Sequence, residues 1–193
     1  MKVLMINGSR REHGCTYTAL NLVAKELNAA GIETEIFFLG QDVINGKMDE
    51  MVAAAAKKME EADGLVLGAP VYYASASGEM IAFLDRFFGK AANSLQHKVG
   101  AALTSARRAG TTATLDVLNK YLAYAQMPIV SSRYWNMVHG NTPEDVLKDA
   151  EGIQIMRTLG RNMAWLLKCI EAGKNAGVEE PDDEKKVITN FIR

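Results

Sequence analysis

Along residues 1–130, short apolar runs alternate with longer amphipathic stretches. Residues 2–7 (KVLMIN) form a run too short for a helix, ended by Gly8. From Thr16 the apolar positions Leu20, Val23, Ala24 and Leu27 recur at helical spacing, and the pattern stops near Gly31. Residues 33–39 (ETEIFFL) read as a second strand. Asp49 stands at the N-cap of an alanine-rich helix running to about Ala62. A third strand covers residues 64–69 (GLVLGA) and a fourth residues 98–105 (KVGAALTS). Between them, residues 78–88 carry Met80, Ile81, Phe83, Leu84, Phe87 and Phe88 on one broad helical face. Another helix is expected over residues 111–125, and Pro128-Ile129-Val130 begins a fifth strand. Residues 143–170 read as one long helix opened by Thr142-Pro143, a pair suited to the cap and first turn.

These strands are apolar along their whole length rather than alternating, so both of their faces are buried. That is the pattern of a parallel sheet covered by helices on each side. Five such strands with right-handed crossovers predict the α/β class: a flavodoxin-like three-layer sandwich around a five-stranded parallel sheet, order 2-1-3-4-5. With no internal repeat and no low-complexity linker, residues 1–193 are expected to form a single domain with a C-terminal helix and tail. Beyond Gly177 the tail is charged, then turns apolar at Val187, Ile188, Phe191 and Ile192. A solvated linker with a docked end and a segment swapped onto a partner subunit are both open.

Composition narrows the class of function. Among 193 residues, 22 basic and 23 acidic side chains nearly cancel, so the basic excess expected for nucleic acid or an anionic membrane is missing. No apolar run approaches the roughly 18–20 residues needed to cross a bilayer, and no secretory pattern opens the chain. A cytoplasmic protein is expected. The only cysteines, Cys15 and Cys169, are too few for a disulfide framework, a four-thiolate zinc site or a cysteine-bound iron–sulfur cluster. His13 and His97 lack a second ligand at metal spacing, so no metal site is expected.

In an open α/β sheet the ligand lies beyond the carboxyl ends of the strands, where the strand order reverses. Three loops meet there. The first, residues 8–16 (GSRREHGCT), joins a buried strand to a helix N-terminus, where free amides and the helix dipole favour an anion. Ser9 and Thr16 add hydroxyls, Arg10 and Arg11 add charge, and Gly8 and Gly14 let the backbone approach closely. It is a phosphate cradle, but lacks the Lys-Ser/Thr of a Walker loop and the glycine spacing of a dinucleotide turn. No arginine follows Cys15 at the short spacing a phosphatase loop needs. The second loop, residues 70–77 (PVYYASAS), sets Tyr72 and Tyr73 side by side, and at least one is expected to line a slot for a planar ligand. In the third, Arg107 and Arg108 precede a helix start, where the dipole disfavours cations. They are placed to face a pyrimidine-like edge or a nicotinamide nucleotide phosphate. A phosphate pocket, an aromatic slot and a polar third wall together describe a mononucleotide with a flat ring, and FMN fits best.

On these residues the chain resembles the NADPH-dependent FMN reductase family of flavodoxin-like proteins. GSRREHGCT resembles that family's phosphate loop, GAPVYYASASGEMIAFLDRF its second flavin loop and following helix, and KVGAALTSARRAGTTATL the third. The resemblance implies that Ser9, Arg11, Gly14, Cys15 and Thr16 hold the phosphate, and that Pro70, Val71, Tyr72 and Tyr73 contact the flavin. Ser105, Ala106, Arg107 and Arg108 would then line its pyrimidine side. The chain is also similar to the family's iron–sulfur branch, which carries a tight cysteine cluster between the second and third strands. Residues 40–50 here (GQDVINGKMDE) have no cysteine, so electrons are expected to enter as hydride or from an outside donor.

The activity implied is transfer of hydride from NAD(P)H, as co-substrate, through the flavin N5 to a small acceptor: a quinone, flavin, nitro or azo compound, or metal ion. No side-chain acid or base is required, and no catalytic residue is assigned. The rival is a flavodoxin-like electron carrier without NAD(P)H turnover; such carriers usually need a strongly acidic face, and a net charge of −1 argues against one. Members of the family are commonly homodimers or homotetramers with shared sites. Residues 131–140, with Tyr134, Trp135 and His139, therefore read either as packing or as part of a neighbouring site.

Overall fold

A computed structural model describes residues 1–182, 184–185 and 187–191. Five strands form one parallel sheet in the order β2-β1-β3-β4-β5: β1 (Lys2–Asn7), β2 (Glu33–Phe38), β3 (Gly64–Pro70), β4 (Val99–Ala106) and β5 (Met137–His139). The sheet is the flavodoxin-like arrangement that the apolar runs predict. Side chains along each strand alternate between two helix layers. Leu4, Ile6, Leu65 and Leu67 face one core with α2 (Met48–Glu61), α3 (Gly78–Lys90) and α4 (Thr111–Tyr124). Val3, Met5, Val66, Val99 and Leu103 face the other, with α1 (Cys15–Ala29) and α6 (Ala150–Asn175). Every apolar residue of β1, and of β3 as far as Ala69, is thus covered, which is why the runs show no period-two polarity.

Three expectations need correction. The fifth strand does not grow from Pro128-Ile129-Val130, which make only an isolated bridge between Ile129 and Gly100. Pro128 has no amide to donate, and the chain bows away over residues 131–136 before pairing as β5 with Thr104–Ala106. Asn136 supports the bow: its Nδ2 donates to Ala102 O at 3.0 Å, and its carbonyl accepts from Thr104 N at 2.9 Å. The long C-terminal helix is in fact two, α5 (Pro143–Val146) and α6. Thr142 and Asp145 close a capping box on α5, and Asp149 caps α6 by accepting from Gly152 N at 2.9 Å. Asp149 also accepts from His139 N at 2.7 Å, so the break ties β5 to α6. Finally, Lys47 rather than Asp49 precedes α2, and Asp49 sits in its first turn.

In the tail, Glu180 is held by Lys174 at 2.7 Å and His97 at 3.5 Å. Val187, Ile188 and Phe191 are exposed among the described residues of the tail, and Ile192 lies outside those residues. Among the described residues, no helix is long and apolar enough to cross a membrane.

Candidate cofactor site

Loops after β1, β3 and β4 meet at the carboxyl edge of the sheet, beside the reversal of strand order between β1 and β3. They are fastened to one another by hydrogen bonds. Thr16 and Ser105 hydroxyls lie 2.8 Å apart, joining the first loop to the third. Val71 N donates to Ser105 O at 3.0 Å, joining the second to the third. Ser77 Oγ donates to Gly8 O at 2.9 Å while accepting from Met80 N, so one hydroxyl caps α3 and anchors the first loop. Gly8 allows that approach: a Cβ there would stand 2.6 Å from Met80 Sδ.

The first loop is braced from within. Asn7, fully buried at the end of β1, donates from Nδ2 to Glu12 O and accepts from Ser9 N, while Ser9 Oγ accepts from Arg11 N. The loop ends at Gly14, which gives α1 no capping side chain, and no acid follows in the first turn. Gly110 leaves α4 in the same state. The other helices that follow strands at this edge differ: α2 has Asp49 and Glu50 in its first turn, and α3 is capped by Ser77. At this edge α1 and α4 therefore present amides without a capping side chain and a first turn without an acid of its own, which suits an anion.

The cleft between the loops has a volume of about 240 Å³. It is lined by Ser9, Arg11, Gly14, Cys15 and Thr16, by Pro70, Val71 and Tyr72, and by Ser105, Ala106 and Arg107. Tyr73 and Arg108, named with them from sequence, do not line it. Tyr73 and Ala74 occupy the two central positions of a tight turn, with φ of 53° and 57°, closed by bonds between Tyr72 and Ser75. That geometry throws the Tyr73 ring fully into solvent and leaves Tyr72 at the cleft. Gly110, at φ 101°, supports the turn from below, where a Cβ would meet Val71 Cγ1 at 2.8 Å. Gly140 and Asn141 complete the lining, and residues of that type after a strand carry no distinguishing mark in the sequence. Asn7 and Ser77 brace the site from below, and their marks in the sequence are a polar residue closing an apolar strand and a serine before a helix.

Burial pushes the Cys15 thiol up from its ordinary value, with Arg11 opposing. It therefore stays protonated at neutral pH, and its sulfur lies 3.7 Å from Gly140 O. Cys15 is a partly buried wall of the cleft.

The donor set fits a flavin mononucleotide: amides, hydroxyls and Arg11 at one end suit a phosphate, and the Tyr72 ring with the backbone of residues 70–72 and 105–107 suits a flat heterocycle. A parallel sheet in this order with such a cleft defines a flavodoxin-like mononucleotide-binding protein. Residues 1–142 match the family NADPH-dependent FMN reductase, and the chain belongs to that family, whose cofactor is FMN and whose reductant is NAD(P)H. An iron–sulfur flavoprotein of Methanocaldococcus jannaschii is 31% identical across 89% of this chain and 100% of its own length. FMN reductase (NADPH) of Escherichia coli is 28% identical across 75% of this chain and 74% of that one. The flavodoxin, WrbA-like protein of Agrobacterium tumefaciens superposes with a TM-score of 0.66 at 16% identity, covering 87% of this chain and 97% of that one.

Proposed function

We propose that this protein passes hydride from NAD(P)H through the N5 of bound FMN to a small acceptor such as a quinone, flavin, nitro or azo compound, or metal ion. The flavin supplies the redox chemistry, and the chain supplies binding, orientation and a polar wall. In this reading the amides of α1, with Ser9, Arg11, Gly14, Cys15 and Thr16, take the phosphate. Pro70, Val71 and Tyr72 receive the ring, and Ser105, Ala106 and Arg107 face its pyrimidine edge, where donors favour the reduced, electron-rich form. Tyr73 and Arg108, both exposed beside the cleft, are left for the nicotinamide nucleotide or the acceptor.

The observation that carries the reading is the uncapped start of α1, without an acid in its first turn, whose Gly14, Cys15 and Thr16 line the cleft. Ligand pockets commonly reach 300–1,000 Å³. A cleft of about 240 Å³ holds the phosphate end and part of the ring, leaving a ring edge open to reductant and acceptor. Purified protein should carry, or take up, one equivalent of FMN, and should bleach on anaerobic addition of NADPH. A protein that takes up FMN but does not bleach is an electron carrier instead.

Assembly as a homodimer or homotetramer is part of the same proposal. Tyr134 and Trp135 stand exposed on the bow beside β5, and an apolar groove of about 710 Å³ runs along Phe88, Val117, Tyr121 and Tyr124 between α3 and α4. Light scattering on wild type and W135A tests it. Near-zero net charge and the thiols of Cys15 and Cys169, which form no disulfide, suit a reducing cytoplasm with neither nucleic acid nor membrane as partner.

A further inference from the structure

Arg10 belongs to the phosphate loop by sequence but not by position. Arg11 lines the cleft, whereas Arg10 turns toward the second loop. Its Nε donates to Glu79 Oε1 at 2.6 Å, and its guanidinium carbon lies 5.8 Å from the centre of the Tyr72 ring. One arginine thus spans both ends of that loop: the tyrosine that follows β3 and the first turn of α3.

Glu79 is unusual. It is 3% exposed, and its second carboxylate oxygen is buried without a hydrogen-bond partner. A half-satisfied buried carboxylate is costly, and an apolar side chain would fill the site without that cost. The α3 dipole offsets some of it, since Glu79 lies in the first turn. The base beneath is rigid: Met80 packs under Gly8, and Ser77 joins Gly8 O.

We propose that Glu79 and Arg10 form a clamp that positions the aromatic wall of the flavin site. Glu79 aims the Arg10 guanidinium across the Tyr72 ring and so fixes that ring at the cleft before the cofactor arrives. This inference rests on the FMN reading and divides labour within the first loop, Arg11 serving the phosphate and Arg10 the ring. The guanidinium fork matters, because an ammonium keeps the charge but cannot hold Glu79 through one nitrogen while the rest of the group lies over the ring. Arg10 and Glu79 are positioning residues, acting on the cofactor through Tyr72.

The test titrates FMN and riboflavin into the apoprotein, following flavin fluorescence, for wild type, R10A, R10K, E79Q and R11A. Loss of a cation–π contact at a half-exposed arginine predicts that R10A, R10K and E79Q each weaken both flavins alike, by roughly two- to fivefold. R11A should weaken FMN alone. R10K should keep the apoprotein's melting temperature while losing affinity, a split that a purely structural role would not produce. R10A should melt below the R10A/E79Q double variant, because the single change strands a buried carboxylate. A loss in R10A confined to FMN would make Arg10 a phosphate ligand and overturn the clamp. So would unchanged affinity in R10A, R10K and E79Q, or additive melting shifts in the double variant. Wild type that binds neither flavin removes the FMN reading and the clamp together; wild type that binds both beside indifferent variants removes the clamp alone.

Discussion

Substituting Gly14 by aspartate separates stability from function at the start of α1. Gly14 has φ −86° and ψ −166°, an extended conformation open to any residue, so the change brings no backbone strain. An Asp at this position accepts from the first-turn amides that now lack a capping side chain. Replacing a Gly cap contributes a few tenths of a kcal/mol, and a carboxylate at the helix start adds about 0.3–1 kcal/mol. Against this, the new Cβ stands 3.1 Å from Arg11 Cβ, a tight contact on a side chain that can move. The net expectation is a gain of about 0.5 kcal/mol, or roughly 1–2 °C in the melting temperature of the apoprotein. The cofactor meets the opposite sign. Two unit charges at about 4 Å repel by about 4 kcal/mol at the effective dielectric of a protein surface, and the amides are already taken. FMN affinity should therefore fall at least ~100-fold, while riboflavin, without the phosphate, changes little. Differential scanning fluorimetry of the apoprotein and titration with both flavins check the two halves. A G14D variant that binds FMN as tightly as wild type would refute the placement of the phosphate at α1.

Other outcomes follow from contacts around the cleft and beyond it. T16V strands the buried Ser105 hydroxyl and should cost about 1–2 kcal/mol in urea denaturation, with T16V/S105A recovering part of the loss. G110A places a Cβ against Val71 at a φ of 101°, so a loss of about 1–3 kcal/mol in thermal denaturation is expected, with weaker flavin binding. Glu26 accepts from Arg161 and Arg157, and the Arg161 bond leads in holding its carboxyl below the ordinary value. Because the folded pKa is the lower one, this contribution is present above the unfolded value of about 4.3 and is lost as pH falls through the folded one. E26Q should therefore flatten the acid limb of the stability profile below about pH 5 in denaturant titrations, and leave the neutral limb's slope unchanged.

The sheet was legible in the sequence because its strands are buried on both faces. A run such as GLVLGA has one packing solution, between two helix layers, and the lengths of the intervening amphipathic stretches dictate parallel crossovers. The loops at its carboxyl edge were legible because glycines, hydroxyls and arginines are concentrated there beyond what a turn needs. Where the sequence misled, backbone pairing was decided at a distance. Pro128-Ile129-Val130 has strand composition, yet the edge ladder passes to Met137–His139 because Asn136 satisfies β4 during the bow. Residues 143–170 have helical periodicity throughout, yet Asp149 finds both an α6 amide and His139 N, and the helix breaks around it.

Side-chain partnership belongs to the same second category. Composition treats Arg10 with Arg11, and Tyr72 with Tyr73, as equivalent neighbours. The fold sends Arg10 to Glu79, 69 positions along the chain, and a turn with two positive φ values turns Tyr73 outward. Sequence alone determined which residue types gather at the cleft, since burial and helix starts are local properties. Which of them face it was left to the tertiary structure, because direction depends on partners that only folding brings within a few ångströms.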